Sequence, residues 1–217
     1  MERKSPAAWL VLAASVAAGV SYWIARDLAL TPTLAVAWKG AGVALLPLYA
    51  GLKARNLDGW LICLVMALGA LGDVLLETSG LTVGALAFLA GHLVAIGLYL
   101  KNRAHRLGGR AWAFLIVPAA VAIAYLLPTD RAMAPGVALY TLGLSLMAAC
   151  ALISRFPLAL TGLGALMFVL SDLLIFARAG PWAQAAWIGL AIWGLYYFGQ
   201  LLICTGVVRT LQRDRRL

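Results

Sequence analysis

Eight apolar segments, each of about 20 residues, follow one another along this 217-residue chain. A helix of that length spans the hydrocarbon core of a bilayer, so each segment predicts a membrane-spanning helix. With 64% hydrophobic and 12% charged residues, the chain has more apolar surface than a soluble fold of this size can bury. We therefore predict an all-α, polytopic transmembrane helical bundle that forms a single domain over residues 1–217. The segments are 6–25, 33–52, 59–77, 82–100, 111–128, 134–153, 157–177 and 182–208.

The basic residues between these spans predict the orientation of the chain. With the N-terminus inside, the cytoplasmic segments hold thirteen Lys or Arg residues and the outer loops hold three, Arg26, Arg131 and Arg178. This bias predicts that both termini are cytoplasmic. It also accounts for the net charge of +9 without a nucleic-acid partner, because the basic residues sit in short gaps between apolar runs. We expect the partner to be the lipid bilayer of the bacterial inner (cell) membrane; nothing here indicates an oligomeric state.

Four ionisable residues lie inside predicted spans. They are Lys39 in span two, Asp73 in span three, His92 in span four and Asp172 in span seven. Such groups are costly in a membrane and indicate a functional site. Glu77 lies at the outer end of span three. Further hydrogen-bonding groups are Ser171 beside Asp172, and Tyr196, Tyr197 and Gln200 in span eight.

The depths of these residues coincide. At about 1.5 Å per residue, Asp73 and Asp172 lie about 21–22 Å from the cytoplasmic face, and Lys39 lies about 9 Å from the outer face. In a core about 30 Å thick these levels agree, which predicts one buried polar site. One lysine near two carboxylates would leave the pair with a net negative charge or one shared proton.

Each of these residues also has a structural interpretation. Either aspartate could be a hydrogen-bond acceptor between helices, Lys39 could extend outward to the surface, and His92 could be a packing residue. Glu77 could be an interfacial charge, and the tyrosines could belong to the core or to the interfacial belt.

Few residues in the chain suit a metal centre. The cysteines, Cys63, Cys150 and Cys204, fall inside apolar runs without a CxxC spacing, which is typical of packed free thiols. The histidines are His92 and His105, whereas a catalytic zinc usually has three protein ligands in one place. We therefore expect no metal and no cofactor.

Five short motifs, in order along the chain, resemble those of the YhhN family, the lysoplasmalogenases. The likeness departs from the family at Gly40, where proline often follows the lysine, and after His92, where an aromatic residue often follows. Neither change removes an ionisable group. The motifs are Trp-Lys at 38–39, Gly-Asp at 72–73, Phe-Leu-Ala-Gly-His at 88–92, Phe-Val-Leu-Ser-Asp at 168–172 and Tyr-Tyr-Phe-Gly-Gln-Leu-Leu-Ile at 196–203.

This resemblance implies hydrolysis of the vinyl ether bond of a lysophospholipid, the lysoplasmalogen, to a fatty aldehyde and a glycerophospho-base. Hydrolysis of an enol ether begins with protonation of carbon, so it needs an acid, an anion that stabilises the oxocarbenium ion, and a water. Asp73 and Asp172 would supply the acid and the anion, in an order that stays open. The expected substrate contacts are Lys39, His92, Ser171, Tyr196, Tyr197 and Gln200.

Other functions fit the same charges. A proton-coupled transporter would use the carboxylates to carry protons, and the similarity of residues 72–76 to residues 171–175 is a weak indication of an internal repeat. A metal-dependent lipid hydrolase is disfavoured by the single intramembrane histidine. In a non-catalytic lipid-binding protein, the two aspartates would have no evident role.

Overall fold

A computed structural model describes residues 6–25, 28, 30–105 and 109–214 of the chain. The regular secondary structure in these ranges is entirely helical, and the only strand-like pairing there is an isolated antiparallel bridge between Arg103 and Ser154. The prediction of an all-α fold is confirmed.

The helices follow the predicted spans closely. A short 3-10 helix (Arg110–Leu115) leads into α5, and one π-helical stretch (Leu158–Gly162) leads into α7. The α-helices are α1 (Pro6–Ala25), α2 (Pro32–Lys53), α3 (Leu57–Thr78), α4 (Leu81–Lys101), α5 (Ile116–Leu126), α6 (Ala134–Ile153), α7 (Leu163–Arg178) and α8 (Ile188–Arg213).

Seven helices in the described ranges are long and apolar enough to cross a membrane, and the chain is an integral membrane protein. The predicted fifth span corresponds to the 3-10 helix and α5 taken together. This apolar stretch, Arg110–Leu126, is shorter than the other spans and is at the lower limit of length for crossing a bilayer. The predicted eighth span starts later than expected, at Ile188, because residues 181–187 form turns. Trp182 and Trp187 in these turns are exposed and pack together at 5.6 Å between ring centroids, as expected for residues at a membrane interface.

Capping residues determine where two of these helices begin. The Thr31 hydroxyl accepts a hydrogen bond from a first-turn amide of α2. Asn56 Oδ1 accepts one from Gly59 N at 2.9 Å and caps α3. Gly80 connects α3 to α4 with a φ of +87°, a left-handed conformation that glycine adopts without steric cost.

The first compact unit comprises Met1–Val94 and Val208–Leu217. In it α2 packs against α1 and α3. Ser15 Oγ on α1 donates a 2.6 Å hydrogen bond to Gly42 O on α2. The ring of Phe88 on α4 covers Gly72 on α3 so closely that an added Cβ would lie 2.7 Å from it. A small residue at this position therefore allows α4 to approach α3.

The second compact unit comprises Ala95–Val207. Its central helix is α6, which packs against α5 and α7. In the apolar stretch of this helix, 72% of the residues are buried. Helices α7 and α8 meet through glycines, since a Cβ on Gly164 would lie 2.6 Å from Gly199 O. The boundaries between the units fall inside α4 and α8. The expectation of one domain stays a prediction.

Candidate functional site

Helices α2 and α3 bring the first group of polar side chains together. Lys39 Nζ lies 2.9 Å from Glu77 Oε1 and 3.4 Å from Asp73 Oδ1. Asp73 and Glu77 are four residues apart on α3, so both face Lys39 on α2. The Asp73 side chain is 5% exposed, whereas that of Glu77 is 45% exposed. The group therefore extends from a buried carboxyl to an accessible one.

The position of the ammonium between two carboxyls explains how Lys39 is tolerated in an apolar helix. A lysine at the centre of a membrane helix costs about 2.5–3.5 kcal/mol, and nearby carboxylates offset that cost. The ion pair with Glu77 makes this glutamate a member of the group. The sequence placed it at the outer end of span three, where it could also be an interfacial charge.

His92 lies in the same unit, on α4, and is 3% exposed. It follows Phe88 by one helical turn, so it shares the face of α4 that packs on α3 at Gly72. His92 is therefore a buried residue of this helix pair. The expectation that it contacts the substrate stays a prediction.

Helices α6 and α7 bring a second group together. Tyr140 Oη on α6 donates a 2.6 Å hydrogen bond to Asp172 Oδ2 on α7, and both residues are buried. Phe176, one turn after Asp172, packs edge-on against the Tyr140 ring with 6.1 Å between centroids. The ring is thus held by packing while its hydroxyl is directed at the carboxyl group.

Tyr140 was not among the predicted site residues, although the sequence contained a signal for it. Tyr140 is six residues into the predicted sixth span, which runs inward, so it lies about 9 Å below the outer face. Lys39 has the same depth in span two. Extending the depth comparison from ionisable residues to tyrosine would have found it.

The predicted residue Ser171 joins α7 to α8. Its hydroxyl donates a 3.1 Å hydrogen bond to Ile192 O. Tyr196, one turn further along α8, packs edge-on against Phe168 at 5.3 Å between centroids. Ser171 and Tyr196 therefore both contribute to the packing of this helix pair, and their expected contacts with substrate stay predictions.

The next residues of α8 are also buried. Tyr197 stacks on Trp193 with 5.7 Å between ring centroids and an angle of 20° between the ring planes. Gln200 is 2% exposed, and no residue in the described ranges donates a hydrogen bond to its Oε1. A buried acceptor without a donor costs about 1–3 kcal/mol, so this amide is a candidate for a polar contact with a ligand.

The structure places the two aspartates in different units, Asp73 in the first and Asp172 in the second. It joins Asp73 to Lys39, and Asp172 to Tyr140. That the two carboxyls act in one site stays a prediction. Across the described residues, no three His, Cys, Asp or Glu side chains come together as metal ligands.

The sequence profile of the YhhN family matches residues 34–207, which is most of the chain. The chain belongs to the YhhN family. The match contains all the predicted site residues of this YhhN protein, from Lys39 to Gln200, and also Glu77 and Tyr140. No curated protein and no solved structure matches the chain. The resemblance in the five motifs is thus confirmed at the level of the family.

Proposed function

We propose that this YhhN protein is a membrane hydrolase that cleaves the vinyl ether bond of lysoplasmalogens. The products are a fatty aldehyde and a glycerophospho-base such as glycerophosphoethanolamine or glycerophosphocholine. Membership of the family supports the reaction class. The observation that supports this assignment most is the pair of buried aspartates on membrane helices, each with a specific side-chain partner: Lys39 for Asp73 and Tyr140 for Asp172.

The reaction consumes one water and needs no oxidant or reductant. A carboxylic acid transfers its proton to the β-carbon of the enol ether, and the double-bond electrons form the new C–H bond. The resulting oxocarbenium ion is attacked by water, which loses a proton to the second carboxyl, the one that began ionised. As the hemiacetal collapses to the aldehyde, this second carboxyl gives its proton to the glycerol oxygen, which leaves as an alcohol, and the first carboxyl takes the proton of the hemiacetal hydroxyl. Both carboxyls finish in their starting states.

Two carboxyls are sufficient for these steps. One of Asp73 and Asp172 donates the proton, and the other remains ionised, stabilises the cation and orients the water. Lys39 offsets the negative charge that Asp73 and Glu77 place at the edge of an apolar medium. Tyr140 holds the Asp172 carboxyl in one orientation.

The remaining predicted residues would bind the substrate. Lys39 and His92 could contact the phosphate, and Tyr197 and Gln200 could hold the glycerol. The unbonded Oε1 of Gln200 fits the last role, because a glycerol hydroxyl can donate a hydrogen bond to it. The vinyl ether of a lysolipid lies just beneath its headgroup, at the depth predicted for the aspartates.

Aldehyde release from matched substrates tests this function. Purified protein in detergent is incubated with lysoplasmenylethanolamine and, separately, with the saturated-ether analogue of equal chain length. We expect aldehyde from the vinyl ether only, at a rate that a chelator does not change. Release from neither substrate excludes the hydrolase, and loss of activity with the chelator favours a metal-dependent hydrolase.

Liposomes address the competing transporter. The protein is reconstituted into vesicles under a proton gradient, and internal pH is followed with and without lysolipid. A hydrolase leaves the gradient unchanged while aldehyde accumulates. Proton flux without aldehyde would instead favour the transporter. The same vesicles, with added protease, test whether both termini lie on the same side of the membrane, as the proposed topology requires.

A further inference from the structure

The charged group on α2 and α3 becomes more accessible in a fixed order. The exposed fraction of the side chain rises from 5% for Asp73 through 19% for Lys39 to 45% for Glu77. All three residues belong to the first unit, and Lys39 Nζ contacts both carboxyls. From the protein interior outward, the group therefore presents a buried carboxyl, an ammonium and an accessible carboxylate.

Glu77 pairs with Lys39 through one of its two carboxylate oxygens. Oε1 lies 2.9 Å from Lys39 Nζ, and within the described ranges no second cation is paired with Oε2. Both oxygens of a carboxylate accept hydrogen bonds. Glu77 can therefore accept a hydrogen bond from a ligand while it keeps its contact with Lys39.

The position of Glu77 on α3 favours a cation beside it. Glu77 lies in the last turn of α3, which ends at Thr78 and contains no basic residue in that turn. The C-terminal end of a helix carries a partial negative charge, so a carboxylate there is unfavourable and a cation is favourable. Lys39 carries one positive charge, which balances only one of Asp73 and Glu77 when both are ionised.

The proposed substrate carries complementary groups in the same order. In a lysoplasmalogen with an ethanolamine headgroup, the vinyl ether lies deepest, the phosphate follows one glycerol unit further out, and the ammonium lies beyond the phosphate. Asp73 and Lys39 are the proposed contacts of the first two groups. Glu77 lies about 6 Å beyond Asp73 along α3, in the outward direction of the lipid.

We propose that Glu77 recognises the ammonium of the lysolipid headgroup, so that the site selects amino headgroups over uncharged ones. The ammonium donates a charge-assisted hydrogen bond to the carboxylate of Glu77, while Lys39 contacts the adjoining phosphate. This role rests on the proposed function for the identity of the lipid. Glu77 takes no part in the proton transfers and determines specificity alone.

Binding of two saturated-ether lysolipids of equal chain length tests this role. One carries phosphoethanolamine and the other phosphoglycerol, so they share the phosphate and differ in the ammonium. Their Kd values for the full-length protein are measured in the same detergent by native mass spectrometry. We expect the ethanolamine lipid to bind about two- to fivefold more tightly, the range typical of a partly exposed ion pair, and Glu77→Gln to abolish this preference.

Asp130→Asn is the matched control, because it also removes one exposed carboxylate that is predicted to lie on the outer side. It should keep the full preference for the ethanolamine lipid. The ratio of two Kd values within one variant does not depend on how much of that variant is folded. Equal binding of the two lipids to the parent protein, an unchanged preference in Glu77→Gln, or an equal loss in Asp130→Asn would overturn the proposal.

The binding assay separates this role from hydrolysis. Neither lipid contains a vinyl ether, so their binding does not depend on turnover. A preference that requires Glu77, found in a protein that releases no aldehyde from any vinyl ether lysolipid, would support the headgroup contact and contradict the hydrolase. Aldehyde release without a headgroup preference would support the hydrolase and contradict the role of Glu77.

Discussion

Tyr140 on α6 donates a 2.6 Å hydrogen bond to Asp172 on α7, which follows it by 32 residues in the sequence. The Tyr140 ring is held by Phe176, and both partners of the bond are buried. A carboxyl group fixed in this way does not need to reorient before it reacts, which is the geometric requirement for acid–base catalysis.

Tyr140→Phe should therefore lower kcat. The variant keeps the ring and removes only the hydroxyl. A hydrogen bond to a charged group contributes about 1.5–3 kcal/mol, so we expect kcat for aldehyde release to fall about 10- to 100-fold with KM little changed. Steady-state kinetics on lysoplasmenylethanolamine measures both constants.

Tyr99→Phe is the control for this variant. Tyr99 is fully buried in the same unit, and its hydroxyl has no hydrogen-bond partner in the described part of the chain. Removing that hydroxyl should leave kcat unchanged. Equal losses in the two variants would show that kcat responds to any buried hydroxyl rather than to the bond with Asp172.

The two aspartates should behave as one catalytic unit. Asp73→Asn and Asp172→Asn each remove an acid–base group of similar size, and each should reduce kcat by about 10²–10⁴-fold. Because residues of one mechanism are not additive, the double variant should be no slower than the slower single one. Multiplicative losses would contradict a shared mechanism.

Asp130→Asn serves as the matched control for both carboxyl variants. Asp130 is exposed in the loop before α6, where its Oδ1 accepts a hydrogen bond from Ala132 N at 2.9 Å. Asparagine can keep that bond, so kcat and Tm should both be unchanged. Circular dichroism and size-exclusion profiles of all these variants should match those of the parent protein.

The longer contact of Lys39, with buried Asp73, should contribute more to the free energy of unfolding than the shorter contact, with exposed Glu77. Glu77 lies closer to Lys39 but is 45% exposed, so Glu77→Gln should cost less than about 1 kcal/mol of unfolding free energy. Lys39→Met leaves buried Asp73 without this ammonium and should cost more, up to about 3–5 kcal/mol. Denaturant unfolding in detergent measures both.

A second substitution separates charge from packing at Lys39. Adding Asp73→Asn to Lys39→Met removes the carboxylate that the lysine had neutralised, so the double variant should regain part of the lost stability. Lys39→Arg should lose less than Lys39→Met. A double variant less stable than Lys39→Met would contradict the assigned ion pair.

Close packing of α7 on α8 should make Gly164→Ala destabilising. The added methyl group would lie 2.6 Å from Gly199 O, so the two backbones would have to separate, at a cost of about 1–3 kcal/mol. Gly97→Ala in α4 is the control, since nothing lies within 4 Å of a Cβ built there. It should be neutral or should raise Tm, because alanine favours a helix over glycine. Equal Tm values for the two variants would contradict the close contact.

Span positions were predictable because bilayer thickness sets the length of an apolar helix. Predicted and observed boundaries of α6, for example, coincide at residues 134 and 153. The predicted start of α8 was wrong because residues 181–187 are nearly as apolar as the membrane-spanning helices but form turns. Hydropathy alone does not distinguish those two states.

The partners of the buried charges were less predictable than the charges themselves. Lys39, Asp73 and Asp172 could be identified because an ionisable residue inside an apolar span is conspicuous. The roles of Tyr140 and Glu77 could not, because a tyrosine and an interfacial acid are common in membrane proteins. Only their observed contacts distinguish them from ordinary packing and surface residues.

The sequence by itself determined the class of fold, the approximate spans, the buried ionisable residues and the resemblance to the YhhN family. The tertiary structure decided which side chains meet: Glu77 with Lys39, Tyr140 with Asp172, and Arg103 beside Ser154. In a soluble helix the apolar stripe shows which face is buried. In lipid the outward face is also apolar, so the sequence does not state the rotation of each helix about its axis, and the interhelical contacts depend on that rotation.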